Sequence, residues 1–442
     1  MYIVGQERRL VDPPSQVVAG VRTVTTNMEG RDALPRMSRP FAFIGSRASP
    51  MQRLEISINQ NARKSQINIG RGIRKDLGQL LSPALAHPPQ RVGIISNKRV
   101  FGLYGREIVR SLKRAGCKTS SWLMPEGERY KSFAMLEKAV KFLNENRFER
   151  NDLVLALGGG VVGDLAGFAA AIYLRGVPVV QVPTTLLAQI DSSVGGKTGI
   201  NLPTGKNLVG AFHQPAAVFV DTETLMSLPQ RELVSGFCEM VKHALVADEG
   251  LLKKTVSALD EVARRREFLL DTDFEELIAA NCAFKASIVA NDERESTARA
   301  DAKSRRILNF GHTTAHALEA VTNYRVFRHG EAVGYGMLVA GELSRNLGLL
   351  GSRDLQLLRE AVALCGPLPR ADQLDVSQII RALQHDKKSV DGRIKWVLLE
   401  GVGLPKIVDG GLISPKVLRQ SLRAGLQRLT NQTESGHNAK SN

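Results

Sequence analysis

Short aliphatic runs rich in β-branched residues recur along the first half of the chain, at Leu54 to Ile58, Ile67 to Ile69, Val92 to Ser96, Leu153 to Leu157, Val179 to Val182 and Val218 to Val220. Several are unbroken by polar residues, the pattern of strands buried on both faces. Between them apolar positions fall three and four residues apart over Leu103 to Ala115, Phe133 to Asn146 and Leu165 to Leu174, which predicts helices. This alternation predicts an α/β domain on a mainly parallel, Rossmann-like sheet. After Leu228 and Pro229 helical periodicity dominates to about Leu429, so an all-α second domain is expected. The predicted divisions are a disordered extension over 1–52, the α/β domain over 53–230, the helical domain over 231–429 and a polar tail over 430–442. The extension lacks the unbroken apolar segment of a secretory signal.

One turn carries the first chemical signal. Gly158-Gly159-Gly160-Val161-Val162-Gly163-Asp164 lies between a predicted buried strand and a predicted helix, where backbone amides can face a pyrophosphate. Its Gly158-x-Gly160-x-x-Gly163 spacing meets the dinucleotide fingerprint. An ordinary Rossmann unit places that turn after the first strand and supplies an acidic ribose partner about 20 residues on. Here the stretch 177–185 holds no carboxylate, so a ribose partner must come from elsewhere, and Glu126 and Glu128 in a Pro/Gly loop are the candidates. A tight turn serving packing alone is the alternative.

Composition narrows the classes. No apolar run reaches the roughly 18 residues of a membrane span, so a soluble protein is expected. The cysteines Cys117, Cys238, Cys282 and Cys365 form no CxxC pair, which predicts a reducing compartment, the cytoplasm by default. Lys plus Arg outnumber Asp plus Glu by 60 to 44, a net charge of +16 that favours anionic partners. The charge is dispersed, without a dense basic block or aromatic interleaving, which argues for small anionic ligands and against nucleic acid.

The helical half holds the second signal. Glu239, Lys242 and His243 share one helical face by their spacing, and so do His312, His316 and Glu319. His329 precedes another helix. A carboxylate and two imidazoles would leave an open position on a zinc-type ion for a substrate oxygen. Spacing alone leaves open which three converge.

Together these motifs (GGGVVGDLAGFAA, QVPTTLLAQIDSSVGGKTGIN, GKNLVGAFHQP, LNFGHT and HGEAVGYGM) resemble the 3-dehydroquinate synthases of the sugar phosphate cyclase family, over about Leu54 to Leu426. The resemblance implies a dehydroquinate-synthase-like fold and a homodimeric, NAD-containing lyase of the shikimate pathway, serving chorismate and aromatic amino acid biosynthesis. With one divalent ion, zinc or cobalt, it would convert a phosphorylated seven-carbon keto acid, DAHP, to 3-dehydroquinate and phosphate. It implies Glu239, His312 and His329 as metal ligands, with His316 at the substrate. Asp191, Lys197, Lys206, Asn207, Lys242, Lys285, Glu295, Arg305, Asn309, His316 and Lys387 would line the substrate or the nicotinamide, and Arg175 would reach across the dimer. Cofactor contacts would come from Glu126, Gly127, Glu128, Arg129, Tyr130 and Lys131, from Gly160, Val161, Val162, Gly163 and Asp164, from Thr184, Thr185, Lys197 and Lys206, and from Thr224, Leu225, Met226 and Ser227.

Three departures from the family pattern stand out: Cys238 before Glu239, Ala315 between the two histidines, and a longer segment Ser296 to Ser304 between Glu295 and Arg305. The rival readings are a sibling cyclase acting on a heptulose or hexose phosphate, and a metal-dependent polyol dehydrogenase, which would release NADH.

Overall fold

The computed structural model describes residues 21–26, 51–57, 64–85, 87–296, 298–384 and 394–427. Its main sheet has eight strands, in the order β1 (Val21–Thr26), β2 (Met51–Ser57), β3 (Lys64–Gly70), β10 (Ala217–Asp221), β7 (Val179–Pro183), β6 (Leu153–Gly158), β4 (Arg91–Asn97) and β5 (Lys118–Met124). From β3 to β5 all neighbours are parallel, whereas β1 and β2 add on as antiparallel outer strands. The expected disordered extension therefore needs correction at 21–26, which forms β1 against β2. The segment is VRTVTT, β-branched at all but one position, a composition suited to a pleated strand.

Alternate residues of the central strands feed separate cores. Ile94, Leu153, Leu155 and Leu157 join Leu77 and Leu81 of α1 (Leu77–Leu81) and Ile108 and Leu112 of α3 (Arg106–Arg114) on one face. The single turn α2 (Lys98–Val100) leads into α3. Ile95, Val154 and Ala156 face α4 (Phe133–Glu145) and α5 (Gly160–Ile172) on the other. Since each face is covered by helices, the strands are apolar throughout. The chain leaves β4 toward β5 but leaves β6 in the opposite direction, toward β7. Ligands of open α/β sheets bind at such a switch point, beyond the strand C-termini. The glycine turn after β6 occupies that place although β6 is not the first strand.

The second half contains α6 (Gln230–Ala247), α7 (Glu249–Arg264), α8 (Thr272–Asn291), α9 (His312–Val321), α10 (His329–Asn346), α11 (Ser352–Leu364), α12 (Val376–Gln384) and α13 (Pro415–Gly425). They share one large core, into which Ile67, Ile69, Val218 and Val220 of β3 and β10 also pack. Among the described residues the helical region carries one antiparallel hairpin, β11 (Lys395–Gly401) with β12 (Leu404–Asp409), so it is helical without being all-α. Another hairpin, β8 (Lys197–Leu202) with β9 (Gly205–Phe212), lies against α5. Its contact is close: a methyl on Gly167 would come within 2.4 Å of Thr198 Cγ2.

Candidate functional site

Three helices deliver Glu239, His312 and His329 to one point. Glu239 lies in the middle of α6, and His312 and His329 open α9 and α10. The helices meet backbone to backbone. A methyl on Gly330 of α10 would lie 1.9 Å from the Ser235 carbonyl oxygen of α6, and one on Gly336 would lie 1.9 Å from the carbonyl oxygen of Gly311, just before α9. Gly311 caps α9 at φ 79°, a left-handed conformation suited to glycine. Glu239 Oε1 is 3.6 Å from His329 Nε2 and 3.8 Å from His312 Nε2, and ligand atoms of the three residues all lie within 4.8 Å of one another. His316 stands beside them, its ring 5.7 Å from that of His312 and 6.1 Å from that of His329, but is not one of the three.

These residues fit a divalent cation. Glu239 is fully buried, and neither carboxylate oxygen accepts a hydrogen bond of sound geometry among the described residues, although Lys242 Nζ approaches Oε2 to 2.5 Å. A buried carboxylate is stable only when paired or coordinating. His312 Nδ1 faces the Phe310 carbonyl at 3.2 Å and His329 Nδ1 faces Glu319 at 3.5 Å, which leaves both Nε2 atoms toward Glu239. Asp191, Glu239 and His243 form a second possible donor group. Asp191 is already engaged: Lys285 Nζ donates to its carboxylate and Lys242 Nζ lies 3.7 Å away. Lys285 occupies the Asp191 carboxylate, whereas Lys242 meets Glu239 at Oε2 and Oε1 faces two imidazole nitrogens, so the Glu239, His312 and His329 group fits better.

Burial would raise the Asp191 carboxyl, but Lys285 and Lys242 outweigh it and hold it well below the usual carboxylate range. His243 is driven down to about 3 by burial and by Lys242, so it is neutral. Burial opposes the charge of Lys242, yet Glu239 and Asp191 raise it, which keeps an ammonium beside the Glu239 carboxylate. Arg305 is buried and donates to the carbonyls of Glu293 (2.8 Å) and Gly195 (3.0 Å). Glu295, at φ 54°, accepts from Asn309 Nδ2 at 2.9 Å and pairs with Lys197 of the hairpin. Glu295, which precedes the longer segment Ser296 to Ser304, thus stands beside Asn309 and Lys197.

The cofactor motifs also converge. The N-terminus of α5 has no side-chain cap, so its amides are available to an anion. A methyl would lie 2.8 Å from Val162 Cβ at Gly158, 3.0 Å from Thr185 at Gly159, 3.0 Å from Ser192 Oγ at Gly160 and 2.7 Å from Gln181 Oε1 at Gly163. This close packing brings backbone, not side chain, to the face of the turn, which fits a pyrophosphate. Lys131 Nζ donates to Asp164 Oδ2 at 2.6 Å and to Asn207 Oδ1. Asn201, which the motif reading did not single out, donates to Glu128 Oε1 at 2.8 Å and accepts from the Asn207 amide at 2.9 Å. It joins the acidic loop to the hairpin, and its only sequence signal is its place at the end of the KTGIN segment.

Other expected residues sit less directly. Glu126, Gly127 and Arg129 are exposed, and Tyr130 is half-buried with Arg129 over its ring. Thr184 is buried, and Thr185 Oγ1 accepts from the Ala188 amide. Thr224 and Leu225 are buried; Tyr104 bonds the Thr224 carbonyl and Ser227, and Arg266 bonds the carbonyls of Leu225 and Met226. Arg175 is exposed in the turn after α5, about 20 Å from the glycine end of that helix, so its own chain does not bring it to the site. Lys387 lies outside the described residues.

Comparison with known proteins bears on this constellation. Residues 121–235 match the family described as 3-dehydroquinate synthase N-terminal, and residues 236–389 match 3-dehydroquinate synthase C-terminal. A 3-dehydroquinate synthase of Nostoc sp. is 41% identical over 357 residues, which span 80% of this chain and 95% of that protein. The solved structure of 2-deoxy-scyllo-inosose synthase complexed with carbaglucose-6-phosphate, NAD+ and Co2+ matches with a TM-score of 0.71 at 25% identity, over 84% of this chain and 99% of that one. A 2-epi-5-epi-valiolone synthase from Streptomyces hygroscopicus subsp. jinggangensis, with NAD+ and Zn2+ bound, matches with a TM-score of 0.71 at 23% identity, over 83% of this chain and 97% of that one.

Proposed function

Because the chain belongs to the 3-dehydroquinate synthase family and is an enzyme of that phosphate-eliminating class, we propose that its site turns DAHP into 3-dehydroquinate and phosphate with the residues described above. The observation that carries this reading is the fully buried Glu239, whose Oε1 has no hydrogen-bond partner among the described residues and faces two imidazoles, beside an Asp191 flanked by Lys242 and Lys285. A simple alcohol substrate gives no reason for so cationic a surround.

When bound, NAD takes and returns one hydride while a divalent ion polarises substrate oxygens. Glu239, His312 and His329 would hold the ion. The amides from Gly160 to Val162 would receive the pyrophosphate, and Glu128, held by Asn201, would meet a ribose. Lys285 and Arg305, both buried, would pair with the substrate carboxylate, while Lys197, Asn207 and His316 would meet the departing phosphate. Asp191 is ionised and fixed by Lys285, so it orients the ammonium and does not donate a proton at neutral pH. Lys387 and, from a second copy, Arg175 would complete the anion site in a homodimer. Relatives carrying Co2+ or Zn2+ support either ion. We place the enzyme in the cytoplasm, a reading supported by four free cysteines; no helix among the described residues is long and apolar enough to cross a membrane.

Turnover of DAHP against a hexose phosphate and a heptulose phosphate lacking the carboxylate tests the assignment. The keto acid should be strongly preferred, and Lys285→Met should cost more with it than with the sugar phosphates that lack a carboxylate. Equal turnover of all three would move the reading to a sibling cyclase.

A further inference from the structure

We propose that Glu319 is a positioning residue for the metal centre: its buried carboxylate fixes the His329 ring with Nδ1 protonated, so that Nε2 presents its lone pair to the ion, while Lys206 from the hairpin neutralises it. The inference rests on the metal reading above and concerns a residue to which that reading gives no role.

Glu319 lies on α9, two turns beyond His312, and is only 2% exposed. Its Oε1 is 3.5 Å from His329 Nδ1 and accepts from Lys206 Nζ at 2.8 Å. Its Oε2 has no partner among the described residues. Lys206 is covered by the Tyr324 ring, its Nζ 4.6 Å from the ring centroid. A neutral imidazole carries one proton, so a carboxylate facing Nδ1 selects the tautomer whose free lone pair is on Nε2. That atom is the one facing Glu239, at 3.6 Å. The other imidazole differs, because His312 Nδ1 faces a neutral carbonyl, that of Phe310. A carboxylate behind a ligating histidine makes the ring more basic and fixes its orientation, and removing such a partner commonly costs 10- to 100-fold in metal affinity. Lys206, whose ammonium donates to Oε1, gives the buried Glu319 carboxylate a cationic partner as well as the imidazole. The Lys206 contact also ties the α/β half to the helix that begins with His312.

The test is Co2+ titration of the metal-stripped full-length protein, in competition with a chelator and with the visible Co2+ absorption recorded. Wild type, Glu319→Gln, Glu319→Asp and Glu239→Gln are compared. Glu319→Gln should bind Co2+ about 10- to 100-fold more weakly, with an altered ligand-field spectrum and an unchanged far-UV dichroism, and Glu319→Asp should fall between it and wild type. Affinity within twofold of wild type with a superimposable spectrum would overturn the inference. Should Glu319→Gln not fold, Glu319→Asp decides by the same criteria. Glu239→Gln reports separately on the triad: wild-type Co2+ affinity in that variant would overturn the metal reading itself, whereas its loss beside a wild-type-like Glu319→Gln would overturn only the role of Glu319.

Discussion

Replacing Gly330 with alanine should damage the metal centre although the residue bears no side chain. The new methyl would lie 1.9 Å from the carbonyl oxygen of Ser235, 2.6 Å from its carbonyl carbon and 2.8 Å from its Cα. All three are backbone atoms of α6 and cannot swing aside. Real Cβ contacts essentially never fall below 3.0 Å, so α10 must part from α6 there by about 1.1 Å. Glu239 lies one turn along α6 from Ser235, and His329 adjoins Gly330, so the parting falls on the 3.6 Å spacing between Glu239 Oε1 and His329 Nε2. Metal sites tolerate only about 0.2 Å in ligand distance, and a misplacement of about 1 Å can cost about 100-fold in rate. Overpacking costs about 1–3 kcal/mol, against about 1 kcal/mol gained by alanine over glycine in a helix. The expected result is at least tenfold weaker metal binding by chelator competition, a comparable loss of turnover, and a lower melting temperature. Gly102→Ala is the control, since a methyl there meets nothing within 4 Å. Native metal affinity and turnover in Gly330→Ala would refute the claim that this backbone contact sets the triad.

Glu239→Gln should abolish turnover by weakening metal binding; full activity with stoichiometric metal in the purified variant would refute its role as a ligand. Deleting residues 1–50 removes the outer strand β1 but no proposed site residue, so kcat should survive while thermal stability falls; a large loss of kcat would give that segment a part in the site. Glu275 is buried, accepts from Thr222 Oγ1 at 3.0 Å and lies near Asp221, and burial above all raises its carboxyl. The folded state then holds this proton more tightly than the unfolded state, so stability falls as pH climbs from the unfolded carboxyl value through the folded one. Melting curves should show Glu275→Gln gaining on wild type as pH rises from 4 to 8, and a constant difference would contradict the assignment.

The parallel core was legible because strands covered on both faces must be apolar throughout, as Leu153 to Leu157 are. At the sheet edge β5 mixes Lys118, Thr119, Ser120 and Ser121 with Trp122, so its hydrophobic signal fades where one side meets solvent. Half of the residues of β8 and β9 are glycine, lysine or asparagine, which interrupts the strand pattern, and β11 presents Trp396 to Leu399 as a short apolar run that fits either a strand or a buried helix. At the site, spacing put His312, His316 and Glu319 on one face but could not rank them. What separates them is tertiary: α10 crosses at Gly336, bringing His329 to His312 and leaving Glu319 behind the ring of His329. Likewise Asn201 acquires its task only when the hairpin folds over the loop that holds Glu128.

The most direct test of the central claim follows inorganic phosphate, organic product and NADH absorbance together, in one reaction of the purified protein with DAHP, NAD and Co2+ or Zn2+. Equal amounts of phosphate and 3-dehydroquinate with no accumulating NADH are the predicted result, since the hydride taken early is returned before the ring closes. Failure to release phosphate from DAHP, or NADH accumulating in step with turnover of a polyol, would contradict it.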